Sequence, residues 1–134
     1  MQIRNMRDLR TIKMLGESLI SWKVANIEES PSHWHFPSFE IQEYLLPLIN
    51  VGAQTFDEYG RTEYELEDCR RLLNTIAFAR ETLSLMSKET IRYETIHDGL
   101  ASLNKNELLN TLDMLVKSAK LALKQESNLV FYGD

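Results

Sequence analysis

Acidic side chains are the residues of this chain whose spacing most invites chemistry. Glu40 and Glu43, then Glu65 and Asp68, form an ExxE followed by an ExxD. Acids at i and i+3 share one face of a helix, and two such pairs on adjacent helices would supply the oxygen ligands that Mg²⁺ takes. His33-Trp34-His35 places two imidazoles either side of one residue. A metal would need further ligands, and no HExxH or CxxC accompanies them. Glu94-Thr-Ile-His97 has the ExxH spacing of di-iron bundles, which need it twice with two further glutamates, and it occurs once. Arg92 and His97 stand in an R-x4-H spacing. Cys69 falls on an apolar stripe and reads as a core residue rather than a nucleophile. No P-loop, GxSxG, GxGxxG, zinc-finger or EF-hand spacing occurs.

Two of these patterns resemble known families. The ExxE and ExxD resemble the magnesium-binding signature of the MazG-like nucleotide pyrophosphohydrolases, which are small all-α proteins. The resemblance covers residues 40 to 68, and Pro47 stands within the stretch that carries the first pair. It implies that Glu40, Glu43, Glu65 and Asp68 hold Mg²⁺ against a triphosphate and activate a water. The R-x4-H resembles the HEPN ribonuclease motif, which implies Arg92 and His97 from two protomers assisting 2′-hydroxyl attack on RNA. Tyr93 occupies a place where that family usually carries a polar residue.

Charge points to a different reading. The chain carries a formal net charge of −5, which disfavours generic nucleic-acid binding, and the acids are concentrated in the middle. Residues 28 to 68 hold ten acidic side chains against one basic. Asp57, Glu58, Glu63, Glu65, Glu67 and Asp68 crowd one short stretch with Arg61 as counter-charge, and Tyr59 and Tyr64 lie among them. Self-repulsion of this kind suits a surface that meets a basic protein, with tyrosines as amphipathic anchors. The expected contact set is Asp57, Glu58, Tyr59, Glu63, Tyr64 and Glu67, with no cofactor and no catalytic residue. A small acidic helical protein of this kind is similar to nuclease-neutralising immunity proteins and phage-encoded inhibitors. No nucleic acid or membrane is expected as partner, and a homo-oligomer is compatible with the pattern. A single Cys and the absence of a signal-like or membrane-spanning apolar run suit the cytoplasm.

The elements that would position these residues read as helices. Ile12, Leu15, Leu19 and Trp22 predict one from about Ile3 to about Ile27, with Arg4, Arg7, Arg10 and Lys13 spiralling across it. A loop follows to Pro37. Ser38 caps a second helix running to Tyr59, kinked where Pro47 removes a hydrogen bond and closed by Gly60. Thr62 and Glu65 form a capping box for a third, Thr62 to Met86, whose inward face is Cys69, Leu72, Ile76, Ala79, Leu83 and Met86. Lys88 to Asn104 reads as a short irregular helix broken by Gly99. Asn104 and Glu107 open the last, to about Glu126, with Leu108, Leu112, Leu115, Ala119 and Ala122 facing inward. The tail Leu129-Val130-Phe131-Tyr132 is apolar enough to dock. Together these predict one all-α domain over residues 1 to 134: a four-helix bundle with one additional short helix and a kinked second helix.

Overall fold

From Ile20 to Val24 the buried residues fall on every second position: Ile20, Trp22 and Val24 lie inward, while Ser21 and Lys23 are partly exposed. That period belongs to a strand, and it overrides the spacing of three and four that the same residues offer to a helix. The computed structural model describes residues 19–27, 33–95 and 99–133. Its elements are β1 (Ser21–Val24), β2 (His33–His35), α1 (Phe39–Ile49), β3 (Arg61–Tyr64), α2 (Leu66–Ser84), β4 (Thr90–Thr95), β5 (Gly99–Asn104), α3 (Lys105–Gln125) and β6 (Leu129–Tyr132). The fold is therefore mixed α/β, and the expected all-α four-helix bundle is wrong. Residues 3–18 of the expected first helix, with their basic side chains, lie outside the described residues.

Four strands form an antiparallel sheet in the order β2-β1-β6-β3. The apolar tail thus docks as a central strand, with Leu129, Val130 and Phe131 buried between β1 and β3. Trp22 sits opposite Trp34 on one side and Phe131 on the other, and Phe131 opposite Thr62, so one sheet face gathers the large rings. Phe131 meets Tyr64 at 5.0 Å and Phe56 at 5.1 Å between ring centroids, both edge-on, the geometry aromatic quadrupoles favour. Trp22 donates its indole N–H to Ser118 Oγ on α3 at 2.9 Å, which satisfies the one polar atom a buried Trp carries.

Helices α2 and α3 pack against each other, and their stripes are those the spacing predicts. Cys69, Leu72, Ile76, Ala79 and Leu83 are buried on α2, whereas Met86 lies beyond the helix end and is partly exposed. Asn104 accepts the Glu107 amide at 3.1 Å and so caps α3. Ser38 caps α1 through the Ile41 amide, but the helix stops at Ile49 and does not reach Tyr59. Pro47 removes a rung two residues before that end, and Asn50 then turns the chain by accepting the Phe56 amide at 3.2 Å. Thr62 is no helix cap: it is a buried residue of β3 whose hydroxyl accepts the Asp57 amide at 2.8 Å. The stretch expected as a short helix is instead the β4–β5 hairpin, paired from Thr90↔Asn104 to Thr95↔Gly99.

Candidate binding surface

Strand alternation decides what becomes of the acidic stretch. Along β3, Thr62 and Tyr64 point into the core, while Arg61 is exposed and Glu63 half-buried. Residues two apart share a strand face, and Arg61 accordingly pairs with Glu63 at 2.9 Å. Asn128, just before β6, donates to the other Glu63 oxygen at 2.6 Å. The Asn128 hydrogen bond, opposed by burial and reinforced by Arg61, holds the Glu63 carboxyl below its ordinary value.

Tyr64 is a core residue and not the exposed anchor the sequence suggested. It is fully buried, donates its hydroxyl to the Ile49 carbonyl and accepts the Val51 amide at 3.3 Å. Burial pushes its phenol up to about 12. Gly52 allows this packing, since a Cβ there would stand 2.7 Å from the Tyr64 ring.

Helix α2 begins at Leu66 with Glu65 as its N-cap, and its first turn uses up the next acids. Asp68 is buried; it takes the Glu65 amide at 3.0 Å, the Ala53 amide at 3.0 Å and the Arg71 guanidinium at 2.7 Å. Carboxylates near a helix N-terminus satisfy orphaned donors and meet the positive end of the dipole, so no folding penalty needs explaining here. Glu67 is exposed and pairs with Arg70 at 2.9 Å. Glu63 and Asp68, with Ala53, Gln54, Arg61, Glu65 and Asn128, line a polar hollow of about 360 Å³.

The remaining members of the predicted surface occupy a turn before β3. Asp57 accepts the Tyr59 amide at 3.0 Å, and the Gly60 amide reaches the Asp57 carbonyl at 3.3 Å. The Gly133 amide binds the Gly60 carbonyl at 2.6 Å, and a Cβ at Gly133 would collide with the Glu58 backbone. The turn is thus fastened to β3 on one side and to the chain leaving β6 on the other. It presents Asp57, Glu58 and Tyr59 to solvent, the tyrosine 59% exposed. Among the described residues, no cation lies within ion-pair distance of Asp57, Glu58 or Glu65.

The predicted metal quartet is not assembled. Glu40 and Glu43 lie on α1 and Glu65 and Asp68 at the start of α2, and among the described residues no three His, Cys, Asp or Glu side chains converge to hold an ion. His33 and His35 are the outward residues of β2. Arg92 lies in β4, and His97 lies outside the described residues. Cys69 is fully buried, and burial pushes its thiol up to about 11, as expected of a core cysteine. A second concavity, about 460 Å³ between α1 and α2, is lined by Tyr44, Pro47, Leu48, Phe78, Leu83 and Met86 among others, with little polar surface to orient a substrate. No family model, curated protein or solved structure matches the chain. No helix of the described residues is long and apolar enough to cross a membrane.

Two partners of the acidic stretch were invisible to sequence reasoning. Asn128 lies 65 residues from Glu63 and reaches it through the β3–β6 pairing. Ala53 contributes only its backbone. No side-chain pattern signals either contact.

Proposed function

We propose that this chain is a small acidic protein-binding module that captures a basic partner through the turn from Asp57 to Gly60. Tyr59 carries the reading: a large amphipathic side chain, 59% exposed, that directly follows two acids, Asp57 and Glu58, with which no described cation forms an ion pair. Preorganisation supports it, because a turn already fixed by four hydrogen bonds loses little conformational freedom on docking. Glu58 and Asp57 would steer the encounter, and Tyr59 would supply the buried contact. Glu63, Tyr64 and Glu67 leave the expected contact set: the first and last already have basic partners, and Tyr64 belongs to the core. The module acts as one unit in a reducing compartment such as the cytoplasm, where its single thiol has no use for a pair.

The test uses the whole chain, immobilised, against lysate from its native host. Proteins of high isoelectric point should be retained at about 50 mM salt and released by about 500 mM. The double variant Glu58→Lys/Tyr59→Ala should lose them, while Glu67→Gln should keep them. Retention of the same proteins by the double variant would overturn the assignment of this turn.

A further inference from the structure

The hollow between α1 and α2 is apolar along its walls and meets a group of cations at one end. Pro47 and Leu48 of α1 line it, with Phe78, Ala79 and Leu83 of α2 and the buried Leu112 of α3. Of its lining only Tyr44 and Thr82 carry a side-chain hydroxyl, and Thr82 already donates its own to the Phe78 carbonyl at 3.0 Å. Phe78 is 73% exposed, Leu85 82% and Met86 37%, and apolar side chains grouped at solvent are the usual mark of a surface that binds. Met86 also lines a second hollow, of about 740 Å³, together with Lys88, Glu89 and Arg92, so the two concavities meet at its side chain. The Lys105 ammonium donates to the Met86 carbonyl and brings a third cation to this junction. Among the described residues none of these three cations forms an ion pair, whereas Arg61, Arg70, Arg71 and Arg80 each meet an acid.

We propose that this hollow binds a single-chain anionic amphiphile, a long-chain fatty acid, with the alkyl chain between α1 and α2 and the carboxylate toward Lys88, Arg92 and Lys105. Size argues for one chain. A hollow of about 460 Å³ is on the scale of small-ligand sites. Two turns of helix, about 10 Å across and about 11 Å long, would fill about 850 Å³, so a helical segment of a partner would sit on the rim. An extended peptide fits no better, because its backbone would enter a hollow with almost nothing to hydrogen-bond. Charge sets the direction of the occupant: Lys88, Arg92 and Lys105 stand against Glu89 alone at the Met86 end, so the polar head is anionic. Methylenes laid over Phe78 and Met86 take apolar surface out of water, a contribution that grows with each carbon of the chain. The site shares no residue with the turn from Asp57 to Gly60 and stands without it.

Calorimetric titration of the full chain with octanoate, decanoate and laurate, each below its micellar concentration, provides the test. Laurate should bind one to one. Each pair of methylenes removed should weaken binding by about four- to fifteenfold, since a fully buried methylene is worth about fourfold and one against an open wall less. Lys88→Glu/Arg92→Glu should weaken decanoate at least about tenfold and leave neutral decanol within about twofold. Thr82→Trp, at an exposed position of α2, should fill the hollow and abolish binding of both. In the wild type the amide resonances of Leu48, Thr82 and Met86 should shift on titration while that of Tyr59 stays. No binding of laurate, affinity independent of chain length, equal losses of decanoate and decanol in the charge-reversal variant, or binding retained by Thr82→Trp would each overturn the proposal. A dimer that Thr82→Trp dissociates, with no laurate bound, would give the hollow to a second copy. Co-sedimentation with phosphatidylglycerol vesicles, again with no laurate bound, would give it to a bilayer, and either result also overturns the proposal.

Discussion

The acids before and after Arg61 are neighbours in sequence and opposites in circumstance. At the β3–α2 junction, Glu63, Glu67 and Asp68 each meet an arginine, and Asp68 also closes the first turn of a helix. In the turn just upstream, Asp57 and Glu58 meet no described cation, and the hydrogen bonds there hold the backbone and leave Glu58 and Tyr59 outward. Charge density along a chain is therefore a poor guide to charge at a surface. Strand and helix-cap geometry absorb carboxylates locally, whereas a braced turn displays them. The difference separates acids paired within the fold from exposed acids that no described cation pairs with.

Substitutions can break that division, beginning where the fold has most to lose. Asp68→Ala removes acceptors for two backbone amides and a partner for Arg71, and should cost about 2–3 kcal/mol in urea unfolding. Tyr64→Phe leaves the Ile49 carbonyl and Val51 amide without their partner, for a loss of about 1–2 kcal/mol. The raised phenol also sets an alkaline limit. The unfolded chain ionises this group at about 10 and the folded one at about 12, so its stabilising effect is complete below pH 10 and fades as the pH rises toward 12. Tyr64→Phe should flatten that part of the stability profile.

Glu63 behaves with the opposite sign. Its folded value is lowered, so its contribution is whole above the ordinary 4.5 and disappears as the pH falls through the lowered value. Asn128→Ala removes the main cause of that depression and should reduce the difference in stability between pH 7 and pH 3, measured by thermal melts. Glu58→Gln should move stability by no more than about 0.5 kcal/mol, as for an exposed side chain outside any network. A large loss from Glu58→Gln would place it among the structural acids and erase the contrast.

Parts of this molecule could be read from spacing alone. Helices α2 and α3 carry stripes long enough, 19 and 21 residues of helix, for the period of 3.6 to be unambiguous, and Ser38 and Asn104 mark real caps. Strands of three to six residues do not offer that length. Over so few positions, Leu19, Ile20, Trp22 and Val24 satisfy both a helix and a strand, and the sheet is decided by β6, more than a hundred residues away. The hairpin was more legible than the helical expectation allowed: Thr90, Ile91, Tyr93 and Thr95 are β-branched or aromatic. At the candidate site, Asp57, Glu58 and Tyr59 were identified and remain together, but Tyr64 could not be told from Tyr59. Both are tyrosines among acids, and only the register of β3 sends one inward.

A basic protein captured from the host, titrated against the wild type, Glu58→Gln and Glu67→Gln side by side, decides between the two classes of acid. A loss of about tenfold for Glu58→Gln, steepening at low salt, beside a loss under about twofold for Glu67→Gln is the result this account requires. Equal losses for the two, or a larger one for Glu67→Gln, would contradict it.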